Sequence, residues 1–259
     1  MQQKQLELTG GGVLTVYLRA SVDAMPTVRR RPLVLVVPGG GYNHVSPREG
    51  DPVALQFAAA GYHTAVLTYS VGGGARDHQP LRQLNEALAL LRAHAEEWHI
   101  LPDKIAVCGF SAGGHLALSS AVLDIPGETA QQRPDAVILG YPVITAGEYA
   151  HRGSFAQLAG SSDPAAQAVF TLEDKITPRT PPVFVWHTME DQTVPVENTL
   201  LLLGALRRAG VPCEAHLFEK GVHGTSISTA EVDAADRHRG HWVQLCLEWL
   251  GETFGFELL

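Results

Sequence analysis

Ile105-Ala106-Val107-Cys108-Gly109-Phe110-Ser111-Ala112-Gly113-Gly114-His115-Leu116-Ala117-Leu118 is the stretch whose reading decides the fold. The first four residues form an aliphatic run of strand character. The last five form a small-residue stretch of helical character, and Gly-Phe-Ser-Ala-Gly joins the two. A serine held on a tight strand-to-helix turn adopts a strained backbone, and bulk two positions to either side would collide with neighbouring chain; G-x-S-x-G is the pattern that results. The turn also sets Ser111 at the positive end of the following helix, where backbone N–H groups can stabilise an oxyanion. The alternative is a chance pentapeptide in an ordinary βα turn, against which stand the strand before it and the helix after it.

Working outward, four more short β-branched or aliphatic runs occur at Leu33 to Val37, Thr64 to Thr68, Ala136 to Leu139 and Val183 to Trp186. Nearly continuous apolar runs of this length are expected of strands covered on both faces of a parallel sheet. Helical periodicity falls between them. Leu81, Leu84, Ala87, Leu88, Leu91 and Ala95 recur at spacings of three and four and predict an amphipathic helix over Leu81 to Trp98; Val196 to Ala209 and His241 to Leu250 repeat the pattern. The alternation predicts an α/β fold: a mostly parallel twisted sheet with helices on both faces. Leu6 to Arg19, alternating weakly around Gly10-Gly11-Gly12, is expected to form an antiparallel hairpin at the sheet edge. No repeat or linker-like stretch divides the chain, so residues 1–259 are expected to form a single domain. Pro142 to Pro181 is too long for an ordinary connection and is expected to include a small lid.

An activated serine needs a base, and the base needs an orienting acid. His223 stands in the glycine-flanked loop Gly221-Val222-His223-Gly224, directly after a strand-like Ala215 to Phe218. Asp191 begins the turn after the strand Val183 to Trp186, ahead of Pro195 and the next helix; Glu190 is its adjacent rival. The order serine, acid, histidine is the one this kind of elbow requires. Pro38-Gly39-Gly40-Gly41-Tyr42 follows the first central strand, and residues without a Cβ let backbone N–H groups approach a substrate. The expected oxyanion donors are the amides of Gly40 or Gly41 together with Ala112. Neither G-x-G-x-x-G spacing nor a P-loop Lys-Ser/Thr pair is present, against a phosphate-binding reading of the same glycines. Tyr42, Tyr141, Trp186 and His187 lie at strand ends as candidate substrate contacts, with core packing as the alternative. His115 and Glu49 are expected to support the elbow and the glycine loop.

Composition narrows the rest. The chain has 259 residues, 45% hydrophobic and 18% charged, with mean hydropathy +0.02, a balance that excludes disorder. Acidic residues outnumber basic ones 27 to 19, for a net charge of −8, which disfavours nucleic acid as a partner. Arg29-Arg30-Arg31 is read as a solvated lead-in to a strand. Cys108, Cys213 and Cys246 fit neither a disulfide framework nor a metal-ligand pattern and are read as free thiols. No metal or cofactor is expected. Met1 to Leu8 lacks the apolar core of a signal peptide and no run approaches membrane-spanning length, so a cytoplasmic location without membrane partners is expected.

With these residues in hand, the chain resembles the α/β-hydrolase superfamily, and within it the acetyl-xylan esterase-like, or lipase/esterase-like, subset related to the hormone-sensitive-lipase group. The resemblance rests on Pro38 to Tyr42 with Ser46-Pro47-Arg48-Glu49-Gly50, on Tyr141-Pro142-Val143-Ile144, Thr180-Pro181-Pro182 and Trp186-His187-Thr188, and on Val194 to Asn198 and Gly221 to Gly224. It spans Leu33 to Gly224. Pro38 stands where the lipase group usually has histidine, at the cost of a supporting hydrogen bond but of no oxyanion donor. The resemblance implies a small-molecule ester substrate with a short acyl group, including acetyl groups on sugars or oligosaccharides. The residues alone imply acyl transfer to water. An amide hydrolase of formamidase or peptidase type is the alternative in chemistry, and a noncatalytic protein that keeps the fold is the alternative in class.

Overall fold

In the computed structural model, which describes residues 1–21, 27–125 and 132–258, the predicted runs assemble into one eight-stranded sheet. Its strands are β1 (Gln2–Glu7), β2 (Val13–Leu18), β3 (Arg31–Val37), β4 (His63–Thr68), β5 (Ile100–Phe110), β6 (Ala136–Gly140), β7 (Val183–Thr188) and β8 (Cys213–Phe218), in the order β1-β2-β4-β3-β5-β6-β7-β8. β3 to β8 are mutually parallel. β1 and β2 form the antiparallel edge hairpin, with Gln2 opposite Leu18 and Glu7 opposite Val13, and β2 runs antiparallel to β4.

Side chains alternate across this sheet and divide the interior into two cores. Leu33, Leu35, Val107, Val137 and Val185 point to one side. There they meet α2 (Gln79–Ala93), α3 (Ala112–Val122) and α6 (Glu197–Ala209). Val34, Val36, Cys108, Ile138 and Phe184 point to the other, where α1 (Asp51–Ala59) and α8 (Trp242–Phe254) cover them. Trp186 and Trp242 stack there at 5.2 Å. Burying a single large side chain stabilises by roughly 1.5–3 kcal/mol, so the run Trp242, Cys246, Trp249, Leu250 and Phe254 holds α8 firmly to the sheet.

Two features differ from the sequence expectation for identifiable reasons. α2 closes at Ala93 although the apolar spacing continues to Trp98. His94 stacks on Trp98 at 4.3 Å and His99 takes a positive φ of 57°, so Ala95 and Trp98 reach the core from a turn. Arg31 is not a solvated lead-in: it opens β3, is buried, and donates to the Gly61 carbonyl at 2.7 Å, whereas Arg30 pairs with Glu96. All three cysteines are free, Cys108 and Cys246 buried and Cys213 exposed.

The connection from Pro142 to Pro181 contains α4 (Arg152–Ala159), capped by His151, and the short α5 (Pro164–Gln167), capped by Asp163. It sends Val143, Ile144, Phe155, Leu158, Phe170 and Leu172 into the core on the α2 and α3 side. α7 (Arg237–Gly240) precedes α8.

Candidate active site

Ser111 sits between the last residue of β5 and the first of α3, with φ 54° and ψ −121°. A non-glycine residue in this region costs on the order of 1–3 kcal/mol and persists only where its surroundings over-determine it. Here the Ser111 amide donates to Gly140 O at 3.0 Å, while the Ser111 carbonyl accepts from Val143 and His115 at 3.1 Å each. The flanking glycines are a steric requirement. A Cβ on Gly109 would lie 2.2 Å from Gly113 O, and one on Gly113 would lie 2.1 Å from Val37 O.

Ser111, His223 and Asp191 come together as a hydrogen-bonded chain. Ser111 Oγ lies 2.8 Å from His223 Nε2, and His223 Nδ1 lies 2.6 Å from Asp191 Oδ2. Asp191 is reached from the end of β7 and His223 from the loop after β8, so parallel neighbours in the sheet bring residues from distant sequence to one edge. Asp191 is buried. Burial would raise its carboxyl, but hydrogen bonds from His187 and His223 and from the Val194 amide outweigh it and hold the group well below the usual carboxylate range. Glu190 points elsewhere and accepts from the Gly221 amide at 3.0 Å, which ties down the loop carrying His223.

The glycine loop runs past Ser111 because Val37 pairs with Gly109 across β3 and β5. Among the described residues the amides of Gly40 and Gly41 donate to no acceptor, and Ala112 opens α3, where the first N–H groups have no partner within the helix. Gly40 has φ 120°, and a Cβ there would meet His44 O at 2.1 Å. Glu49 fastens the loop from behind: its Oε2 accepts from the Gly39 amide at 2.7 Å and its Oε1 from the Tyr141 hydroxyl at 2.6 Å. Burial pushes the Glu49 carboxyl up, against the pull of these hydrogen bonds.

The candidate substrate contacts are placed differently from the expectation. Tyr42, Tyr141, Trp186 and His187 are all fully buried and none lines the catalytic cavity. The ends of parallel strands are roofed by the loops that follow them, so these side chains pack beneath the site. Tyr141 meets the His223 ring edge-to-face at 4.9 Å and accepts from the Ser226 amide at 2.9 Å. Trp186 stacks on Trp242, whose Nε1 donates to Ser226 O at 2.9 Å. His187 Nε2 faces Asp191 Oδ2 at 3.3 Å and Val194 O at 3.0 Å, while Nδ1 lies 2.8 Å from the Thr199 hydroxyl. His187 is thus a support for the acid. Tyr42 donates to His115 Nδ1 at 2.9 Å, and His115 Nε2 donates to Phe170 O at 2.8 Å.

His115 also carries a pH signature. Burial lowers its pKa from 6.5 to about 4, against the opposing bond to Phe170. Between these two values the unfolded chain binds a proton that the folded chain refuses, so stability falls as pH drops through this window, by about 3 kcal/mol in all. In His115→Asn, denaturant unfolding measured from neutral to acid pH is expected to show a shallower loss than the parent. An identical slope would remove His115 from the acid response.

Ser111 and His223 open onto a cavity of about 770 Å³. Gly40, Gly41, Asn43, His44 and Ser46 to Glu49 form one side of it, and His151, Gly153 and Gln157 of the 142–181 connection form the other. Among the described residues no cluster of three or more His, Cys, Asp or Glu could hold a metal ion, and no helix is long and apolar enough to cross a membrane. The residues the sequence reading missed are His151, Arg48 and Gln157 on the cavity wall. Arg48 lies in the Ser46 to Gly50 stretch but nothing there assigns it to the cavity, and no motif marks His151 or Gln157; only the path of the two loops brings them together.

A mostly parallel sheet with a strained serine elbow at the carboxyl ends of its strands defines an α/β hydrolase. The BD-FAE family model matches residues 22–135. The chain is 36% identical over 218 residues to endo-1,4-beta-xylanase B of Butyrivibrio fibrisolvens, covering 78% of this chain and 34% of that protein. It is 30% identical over 203 residues to the acetylxylan esterase of Xylanibacter ruminicola, covering 76% and 41%. The solved acetyl ester-xyloside bifunctional hydrolase from Caldicellulosiruptor lactoaceticus superposes with a TM-score of 0.82 at 35% identity, over 95% of this chain and 89% of that one. The chain belongs to the esterase family of α/β hydrolases. The matches span 34% and 41% of the length of the first two of these relatives.

Proposed function

We propose that the chain is a serine esterase that cleaves short acyl esters, including acetyl esters of sugars or oligosaccharides, through an acyl-enzyme intermediate. The observation that carries this reading is the unbroken chain from Ser111 Oγ to His223 Nε2 at 2.8 Å and from His223 Nδ1 to Asp191 Oδ2 at 2.6 Å. The relatives named as an acetylxylan esterase and an acetyl ester-xyloside hydrolase support the substrate class.

In this mechanism His223 Nε2 takes the proton of Ser111 as Oγ attacks the ester carbonyl. Asp191 keeps the Nδ1–H tautomer in place and stabilises the imidazolium that forms. The negative charge on the carbonyl oxygen is met by the amide of Ala112 and by that of Gly40 or Gly41. His223 then returns the proton to the departing alkoxide, which leaves as the alcohol with the acyl group on Ser111. Water, deprotonated by the same imidazole, attacks the acyl-enzyme and releases the acid. The connection 142–181 acts as a small cover within a single domain, and the wall it contributes to the cavity supports this.

Treatment with a fluorophosphonate, followed by peptide mapping, is expected to place one phosphonyl group on Ser111. An intact, folded chain that takes up no label would overturn the reading. With aryl esters, kcat/KM is expected to peak at acetate or propionate and to decline by octanoate, since a site built for a short acyl group gains nothing from further methylenes, each worth about 1–3 kcal/mol where a pocket accepts it. A profile still rising at octanoate would move the reading to a lipase.

A further inference from the structure

We infer that the rim of the catalytic cavity selects esters whose alcohol portion carries a carboxylate, with Arg48 as the cation that meets it; this rests on the esterase reading above. The chain as a whole repels anions, with a net charge of −8. The cavity does not share that negative excess: its lining holds one cation, Arg48, against one carboxylate, Glu49. Arg48 lines it, is exposed, and forms no ion pair or side-chain hydrogen bond with the described residues. In a chain with 27 acidic side chains against 19 basic ones, a guanidinium left without a carboxylate at the mouth of the site is available to a ligand. The one carboxylate in the cavity lining, Glu49, is buried at 3% exposure, and both of its oxygens are already taken by Gly39 and Tyr141.

The facing wall supplies a neutral donor. His151 Nδ1 accepts from the Ser154 amide at 3.3 Å and lies 2.8 Å from the Ser154 hydroxyl, so the ring proton sits on Nε2, which meets no acceptor among the described residues. A cation on one side and an N–H on the other suit a ligand rich in oxygen acceptors.

Position assigns the carboxylate to the alcohol half of the ester. The Arg48 carbonyl accepts from Ser226 Oγ at 2.6 Å, three residues beyond His223 in the same loop. His223 is the group that hands the proton to the departing alcohol, so Arg48 is anchored on the side from which the alcohol leaves. The acyl group, by contrast, is the half that becomes bonded to Ser111, which is only 6% exposed. An exposed pair of this kind is worth little in bulk salt and acts mainly on encounter and orientation.

The test uses 4-acetoxybenzoate and its uncharged counterpart 4-acetoxybenzamide, with the parent protein and Arg48→Gln. Comparing the benzoate-to-benzamide ratio of kcat/KM between the two proteins cancels the intrinsic reactivity of the esters. At low salt the ratio is expected to fall about fivefold in Arg48→Gln. In about 1 M salt, where the screening length is close to contact distance, the difference is expected to vanish. A ratio that is the same in both proteins at low salt overturns the proposal. So does a loss confined to a monoaryl succinate, whose carboxylate lies on the acyl side. Turnover of the benzamide ester separates this result from the esterase reading: where it is cleaved, an unchanged ratio removes the charge selectivity alone, and where neither acetate is cleaved both readings fall.

Discussion

Ser111→Ala is expected to lower kcat by about 10⁶-fold, the scale on which removal of a nucleophile acts in serine hydrolases. The fold is expected to survive. Among the described residues the Ser111 hydroxyl hydrogen-bonds only to His223, and the elbow is held by backbone bonds from Ser111 to Gly140, Val143 and His115 that alanine retains. The strained φ of 54° is equally open to alanine, so the variant neither relieves nor adds backbone cost. Aryl-acetate turnover together with an unfolding midpoint measures both halves of the expectation. Substantial activity in a folded Ser111→Ala protein would displace Ser111 as nucleophile.

The second large effect concerns the two adjacent carboxylates. Asp191→Asn is expected to lower kcat by about 10⁴-fold, because the amide presents an N–H to His223 Nδ1 and drives the imidazole to the tautomer that cannot accept the serine proton. It is also expected to cost stability, since Asp191 Oδ1 accepts from Thr193 and Val194 and Oδ2 faces His187. Because its folded carboxyl lies below its ordinary range, that contribution is present above about pH 4 and is lost as pH falls further, toward the folded-state value. Glu190→Gln keeps an acceptor for the Gly221 amide and is expected to leave kcat within a few-fold of the parent. The opposite ordering of the two variants would transfer the acid's role to Glu190.

Much of the architecture was legible in local pattern. Apolar runs such as Leu33 to Val37 and Val183 to Trp186 read as strands because both faces of a parallel sheet are covered, and the structure divides their side chains between two cores. The edge hairpin was equally legible, since its weak alternation belongs to strands with one exposed face. Where periodicity misled, a tertiary contact was responsible. Ala95 and Trp98 carry the helical spacing of α2 past its end because a turn also delivers them to the core. Arg31 resembles its neighbours in sequence, but Gly61 O is waiting for it across the structure.

The site divides along the same line. Ser111 and the glycines around it were determined by sequence, because the elbow is a local object: Gly109 and Gly113 lie close enough in the chain that steric exclusion writes itself into the pattern. His223 and Asp191 could be proposed from loop position, with Asp191 preferred there to Glu190; what the tertiary structure adds is the direction of the two carboxylates at the end of β7, Asp191 toward His223 and Glu190 toward the Gly221 amide. Tyr141, Trp186 and His187 sit at strand ends either way, and only the loops packed over them put them beneath the cavity as braces. Arg48 and His151, more than a hundred residues apart, share a cavity solely because the sheet sets the loop after β3 opposite the connection after β6. Chemistry carried by a short turn is specified by neighbours in the chain, whereas a wall assembled from distant loops is specified by strand order, which no local pattern encodes.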